Sequence, residues 1–157
     1  MLSAVVEIDW GLLAMHTLQI IAAFVLAFPV GFNRERARQL GLRTIPLVAV
    51  AACGFILIAR ERFPHDANAQ ARIIQGVITG VGFLGGGAIV KNEDQVQGTS
   101  TAATIWCTAA IGASVAAHLW SVALLLALFN FAILVALRPV EKALDAKNGP
   151  RDPPESF

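Results

Sequence analysis

The sequence predicts an all-α, polytopic membrane protein, a bundle of five transmembrane helices with the N-terminus outside and the C-terminus in the cytoplasm. Three observations predict this fold class: a shortage of charge, long windows that contain no charge at all, and a glycine-rich stretch inside one such window. The chain has 157 residues, of which 56% are hydrophobic and 15% are charged, and its mean hydropathy is +0.65. A soluble domain carries about 25% charged residues, so this composition favours a membrane protein.

The first two charge-free windows are each long enough for a transmembrane helix. Residues 10–33 form the first window, which can cross a hydrocarbon core of about 30 Å. Residues 44–59 form the second, which is short at 16 residues. Arg43 and Arg60 flank this second window, and their long side chains can reach the two membrane interfaces.

The remaining windows predict three further spans and a tail. Residues 73–90 form the third span, and residues 95–137 are long enough for two helices. The turn between these two helices is predicted at residues 117–120, where a histidine precedes an interfacial tryptophan. Residues 1–137 are therefore expected to form the membrane domain, and residues 138–157 a short, charged, mostly disordered cytoplasmic tail. Acidic rather than basic residues precede the first span, so a cleavable signal peptide is not expected.

The lysines and arginines predict the orientation. If the spans alternate, nine of the twelve basic residues fall on one side of the membrane and three on the other. Basic loops face the cytoplasm, which places the N-terminus outside. The three outer residues are Arg60, Arg62 and Arg72.

The third span carries the most unusual composition in the chain. Half of the twelve residues at 76–87 are glycine, at spacings that let two helices approach backbone to backbone. The triplet at 85–87 also allows a local break in the helix around a small site. Both interpretations stay open, and under the first a leucine at Gly80 or Gly85 would exclude a neighbouring helix. The candidate residues of this span are Gly76, Gly80, Gly82, Phe83, Gly85, Gly86 and Gly87.

Threonines follow one another along one face of the fourth span. Thr101, Thr104 and Thr108 are spaced at three and four residues, which places them on one helical face. Their hydroxyl groups are expected to hydrogen-bond to carbonyls of their own helix and to hold it against a neighbouring helix. A narrow polar path opposite the glycine-rich span is the alternative.

Little in the sequence points to catalysis or to a cofactor. No charged residue lies in the middle of a predicted span, and neither a phosphate-binding loop nor a nucleophile paired with a base is present. A net charge of +1 without a basic run does not favour nucleic acid binding. The chain is predicted not to be an enzyme and to need no cofactor. Glu35 and Asp94 are weak candidates for a magnesium site at the cytoplasmic mouth, because Mg²⁺ prefers carboxylate oxygens.

Three motifs together resemble those of the MgtC/SapB family of bacterial inner-membrane proteins. They read G-F-N-R-E-R at 31–36 with G-L-R-T at 41–44, G-V-I-T-G-V-G-F-L-G-G-G-A-I-V-K at 76–91, and G-T-S-T-A-A-T-I-W at 98–106. The chain looks like a short form that lacks the C-terminal soluble domain of longer members. It departs from the pattern at Asn33, where many members have glutamate, and at Ile45, where many have histidine.

The resemblance implies site residues and a function. It implies a multi-pass protein of the inner membrane, linked to magnesium homeostasis, acid stress and survival, which regulates other membrane proteins. The ATP synthase is among the implied partners, beside the lipid bilayer itself and a second copy of the chain. The cytoplasmic signature comprises Arg34, Glu35, Gly41, Leu42, Arg43 and Thr44, and the span that faces the glycines contributes Gly98, Thr101, Thr104, Trp106 and Thr108.

Two functions from different classes remain at this point. The first is a non-enzymatic regulator that presents small-residue faces to a partner in the bilayer. The alternative is a transporter or channel for magnesium or another cation, whose path would follow the glycine break and the threonine face. A small channel of dual topology is disfavoured, because dual insertion needs a near balance of basic residues on the two sides.

Overall fold

The protein is mostly helical, and the five predicted helices are present. The structure, a computed structural model, describes residues 9–36, 41–92, 95–140 and 143. Its elements are α1 (Trp10–Arg36), α2 (Thr44–Arg62), α3 (Ala67–Gly87), β1 (Val90–Asn92), β2 (Gln95–Gln97), α4 (Thr99–Ala116) and α5 (Trp120–Ala136). Of the predicted tail at 138–157, residues 138–140 and 143 are described and are helical, and its other residues lie outside the described part of the chain.

Carboxylates start two of the helices. The Asp9 Oδ1 atom accepts hydrogen bonds from the amides of Gly11 and Leu12, at 2.9 and 3.1 Å, at the start of α1. Asp66 does the same for α3, where its Oδ1 atom accepts from the amide of Ala69 at 2.9 Å. Each carboxylate satisfies free amides of the first turn and lies at the positive end of the helix dipole.

A short β-hairpin corrects the all-α prediction. β1 and β2 pair antiparallel between α3 and α4, with Lys91 opposite Val96. Two residues separate the strands, the commonest length for a hairpin connection. Strands of three residues are too short to show an alternating pattern, which is why the sequence did not reveal them.

Three of the five helices are long and apolar enough to cross a membrane. They cover Trp10–Arg34, Thr44–Arg62 and Trp120–Val140. α3 and α4 do not meet this criterion, because α3 begins with a polar stretch that includes Arg72 and α4 is rich in threonine and serine. An 18-residue helix such as α4 is nevertheless about 27 Å long.

α4 is the central helix of the bundle. It contacts α1, α2, α3 and α5, whereas α3 packs against α2 and α4 at the side. The core lies mainly where α1, α2 and α4 meet, and its fully buried members include Ala27, Ile45, Cys53 and Val115. A helix surrounded by protein does not need a lipid-facing apolar surface, which accounts for the polar composition of α4.

Candidate functional site

A buried arginine joins the cytoplasmic signature to the facing span. Arg34, in the last turn of α1, is only 2% exposed. The Nη1 atom donates to the Thr101 hydroxyl at 2.8 Å, and the Nε and Nη2 atoms donate to the Thr104 hydroxyl at 3.1 and 2.7 Å. The Nη2 atom also donates to the carbonyl and hydroxyl oxygens of Ser100, at 2.6 and 2.9 Å. The two predicted motifs therefore form one site, which we call the Arg34 cluster (Arg34, Ser100, Thr101 and Thr104).

The cluster has the density of bonds that a buried charge needs. Burial of an arginine without partners would cost several kcal/mol, and the planar fork of donors here meets four oxygens of the first two turns of α4. Thr104 also donates to the Ser100 carbonyl at 2.7 Å, so its hydroxyl group is fully used. The cluster fixes the end of α1 against the start of α4.

The other residues of the cytoplasmic signature build the connection from α1 to α2. A Cβ atom on Gly31 would lie 2.8 Å from the Gly41 carbonyl oxygen and 3.1 Å from Pro46. Glycine is required at Gly31 because the two backbones come this close. Gly41 is buried, whereas Leu42, Arg43 and Thr44 are exposed at the start of α2. Arg43 makes no side-chain cap to this helix.

The threonine face of α4 is internal to the bundle. Thr104 and Thr108 are buried, and the Thr108 hydroxyl donates to the Thr104 carbonyl at 2.8 Å. These bonds confirm the prediction that the threonines bond back to their own helix. Further along this helix, a Cβ atom on Gly112 would overlap the carbonyl oxygen of Ala49 in α2. Among the described helical glycines, Gly112 therefore makes the closest approach to a second helix.

The glycines of α3 behave differently, and two predictions about them are corrected. The helix is continuous from Ala67 to Gly87, so the glycine triplet ends a helix and does not break one. A Cβ atom at five of the six positions meets no described atom within 4 Å, and at Gly85 it would make ordinary contacts of 3.7 Å with Ala102 and Trp106. The glycines do not hold α3 tightly against a neighbour within the chain, because α3 lies at the side of the bundle. The five open positions are Gly76, Gly80, Gly82, Gly86 and Gly87.

Apolar grooves flank α3 on both sides. The first lies between α2 and α3 and has a volume of about 480 Å³. It is lined by Val48, Ala51 and Phe55 on α2 and by Gly76, Gly80 and Leu84 on α3. We call it the α2–α3 groove. The second, of about 240 Å³, lies toward α4 and includes Trp106, which is half exposed. Phe83 is the most exposed large apolar residue in the described chain, at 82%.

A second polar cluster lies at the opposite end of the bundle. Gln19, 2% exposed, donates from its Nε2 atom to the Val115 carbonyl at 3.2 Å, and the Arg60 Nη1 atom donates to the Ala116 carbonyl at 2.6 Å. These carbonyls belong to the last turn of α4, where cationic and amide donors are favourable. His16 on α1 pairs with Glu61 on α2 at 3.3 Å nearby. The sequence predicts that Arg60 reaches the membrane interface. Its bond to the end of α4 depends on the tertiary structure and leaves no local pattern.

The weak metal candidates cannot be placed together. The backbone of Glu35 lies in α1, but its side chain and the whole of Asp94 lie outside the described residues. Within the described part of the chain, no group of three or more His, Cys, Asp or Glu residues is arranged to hold a metal ion.

Comparison with known proteins identifies the family. The model of the MgtC family matches residues 20–143. Protein MgtC of Brucella abortus is 37% identical over 137 residues, which cover 87% of this chain and 57% of that protein. Protein SrpB of Synechococcus elongatus is 33% identical over 148 residues, covering 85% of this chain and 79% of SrpB.

A third relative, protein MgtC of Salmonella typhimurium, is 41% identical over 98 residues, which cover 62% of this chain and 41% of that protein. The chain thus spans little more than half the length of the Brucella relative. No solved structure shows a significant match. The family match covers α2 to α5 and most of α1, including the Arg34 cluster and the glycine-rich helix, and the chain therefore belongs to the MgtC family.

Proposed function

We propose that this protein is a non-enzymatic, multi-pass protein of the bacterial inner membrane that regulates another membrane protein by binding it through α3. The link to magnesium homeostasis, acid stress and survival comes from the family. The binding surface is the outward face of α3, which we define as Gln75, Thr79, Gly82, Phe83 and Gly86. The family resemblance implies two candidate partners, the ATP synthase and a second copy of this chain.

The observation that carries this proposal is the lack of cover on the outward face. Gln75, Thr79, Gly82 and Gly86 are spaced at four, three and four residues, so they form one stripe along the helix. All are exposed, and a Cβ atom added to Gly82 or to Gly86 would meet no described atom within 4 Å. Exposed glycine and amide groups suit close contact with a second helix better than contact with acyl chains.

The proposal also assigns an orientation of the bundle in the membrane. The Arg34 cluster brings the end of α1 to the start of α4, and Arg60 brings the end of α2 to the end of α4. These contacts make α1 antiparallel to α4 and α2 parallel to α4, as five alternating spans require. With nine basic residues on the side of the Arg34 cluster, that side is assigned to the cytoplasm, and α3 and α4 complete the five spans.

Cation transport is less well supported by the geometry. The proposed glycine break does not exist, since α3 is continuous. The threonine hydroxyls that were to line a path donate to backbone carbonyls of α4. The Arg34 guanidinium also occupies the cytoplasmic end of that face, where it would repel a cation.

Site-specific photocrosslinking in native membranes tests the regulator proposal. A photoreactive residue replaces Phe83, and the matched control replaces Leu128, which is 63% exposed on α5. We expect a discrete protein adduct from position 83 and lipid adducts alone from position 128. Lipid adducts alone from both positions would contradict the proposal.

Ion flux separates the two functions. The purified protein is reconstituted in liposomes that contain a magnesium-sensitive dye, and protein-free liposomes are the control. We expect magnesium uptake equal to that of the protein-free liposomes. Uptake above that level would support transport and overturn the regulatory interpretation.

A further inference from the structure

The α2–α3 groove is separate from the outward face of α3, and we propose that it binds one acyl chain of an anionic phospholipid whose phosphate lies at Arg72. The groove faces α2, whereas Gly82 and Gly86 lie on the other side of α3. The inference requires α3 to lie in the bilayer, as proposed above. It assigns a ligand to a groove that none of the residues of the outward face lines.

The dimensions of the groove fit a single chain. Its lining on α3 extends from Ile73 to Leu84, which at 1.5 Å per residue is roughly 17 Å. This length is close to one leaflet of a hydrocarbon core of about 30 Å. A volume of about 480 Å³ spread over that length describes a long, narrow groove, as one extended hydrocarbon chain requires.

Two glycines keep the groove open. Gly76 and Gly80 line its floor, and a Cβ atom at either position meets no described atom within 4 Å. The opposite wall on α2 is formed by Ala51, Ala52 and the larger Phe55. The lining is almost entirely apolar, as binding of a hydrocarbon chain requires.

Positive charge at one end of the groove selects the headgroup. Arg72 lies one turn before Gly76 and three residues before Gln75, at the border between the groove and the outward face of α3. It is exposed, and within residues 9–36, 41–92 and 95–140 it makes no ion pair or hydrogen bond. Arg62, the last residue of α2, adds a second positive charge at the same end. A guanidinium group binds phosphate through paired hydrogen bonds, and it would repel the amine of a zwitterionic headgroup.

Lipid retention measured by native mass spectrometry tests the proposal on the full chain. The protein is extracted from membranes that contain equal amounts of phosphatidylglycerol and phosphatidylethanolamine. We expect about one retained phospholipid per chain, with phosphatidylglycerol favoured at least threefold. Equal retention of the two lipids, or no retained lipid, would overturn the proposal.

Two variants locate the site, and a third is their control. Gly80→Leu fills the groove and should lower lipid retention at least fivefold, whereas Gly82→Leu, the same change on the other side of α3, should leave it unaltered. Arg72→Gln should abolish the preference for phosphatidylglycerol. Lipid retention by Gly80→Leu at the wild-type level would refute the assignment.

Partner crosslinking from Phe83 should persist in Gly80→Leu, so failure of this inference is distinguishable from failure of the proposed function.

The identity of the occupant is tested independently. A diazirine-bearing residue at Ala51, on the α2 wall of the groove, should form adducts with the mass of a phospholipid. Adducts with a second copy of the chain or with another polypeptide would show that a protein fills the groove and would overturn the lipid assignment.

Discussion

α3 and α4 are both rich in small residues, yet the structure uses them in opposite ways. In α4, Gly112 touches the backbone of α2, and Thr104 and Thr108 are buried within the bundle. In α3, which is three residues longer, only Val81 and Gly85 are buried, and five glycines have open space around them. The comparison teaches that spacing of small residues identifies a surface suited to close contact but does not say whether the contact lies inside the chain.

The difference between the helices has a physical origin in their neighbours. α4 is tied at both ends by side chains from other helices, through Arg34 at its start and through Gln19 and Arg60 at its end. α3 is tied near its start, where the Gln70 Nε2 atom donates to the carbonyl of Phe63, the residue after α2, at 2.7 Å. Further along, it packs through Val77 and Val81 beside the two grooves. α4 is therefore expected to determine stability, and α3 is expected to determine binding.

The largest effect is expected for Gly112→Leu. The new side chain would overlap the Ala49 carbonyl, which should force α2 and α4 apart at a cost of about 3 kcal/mol or more. The measurement is unfolding in mixed micelles with increasing SDS. Gly54→Leu is the matched control, since a Cβ atom on Gly54 has open space. Equal stability of the two variants would contradict the claim that glycine is needed at Gly112, where α2 and α4 come close together.

Arg34→Lys should have the next largest effect. Lysine keeps the charge but cannot reach Thr101, Thr104 and Ser100 together, so the free energy of unfolding should fall by about 2–4 kcal/mol. The same SDS titration measures it. Arg43→Lys, at an exposed position without a side-chain cap, should change stability by less than about 0.5 kcal/mol. A stable Arg34→Lys variant would mean that the cluster does not hold α1 to α4.

A smaller effect is expected at the other end of α4. Arg60→Gln removes the bond of 2.6 Å to the Ala116 carbonyl and should cost about 1–2 kcal/mol, because the site is only partly buried. Arg62→Gln, two residues further along and exposed, is the control in lipid-free detergent. An equal loss of stability in both variants would show that it results from removal of a positive charge and not from loss of the bond to the Ala116 carbonyl.

Much of the fold could be predicted from the sequence because lipid imposes simple limits. The first charge-free window began at Trp10 and α1 does too, and the predicted turn at 117–120 lies where α4 gives way to α5. His118 adopts a positive φ of 58° there. Membrane-length apolar windows leave few alternatives. The start of α3 was missed, since Asp66 caps a helix that begins at Ala67, six residues ahead of the predicted span.

The candidate site was predictable in its residues but not in its arrangement. Arg34 stands at the end of an apolar run, a position at which arginines usually reach toward the interface. Its burial depends on oxygens of α4 that lie 66 to 70 residues away. Gly80 and Gly112 both lie inside apolar helix segments, but only Gly112 lies against the carbonyl oxygen of Ala49. Such contacts between distant residues leave no local pattern.

The central claim is that the outward face of α3 is free within the chain and serves a partner. Gly82→Leu tests it most directly, in a strain that depends on this protein for growth at low magnesium. The account predicts wild-type stability in the SDS titration, because a Cβ atom on Gly82 meets no described atom within 4 Å, together with loss of the Phe83 crosslink and of growth. A stable Gly82→Leu protein that supports normal growth and still forms the crosslink would contradict it.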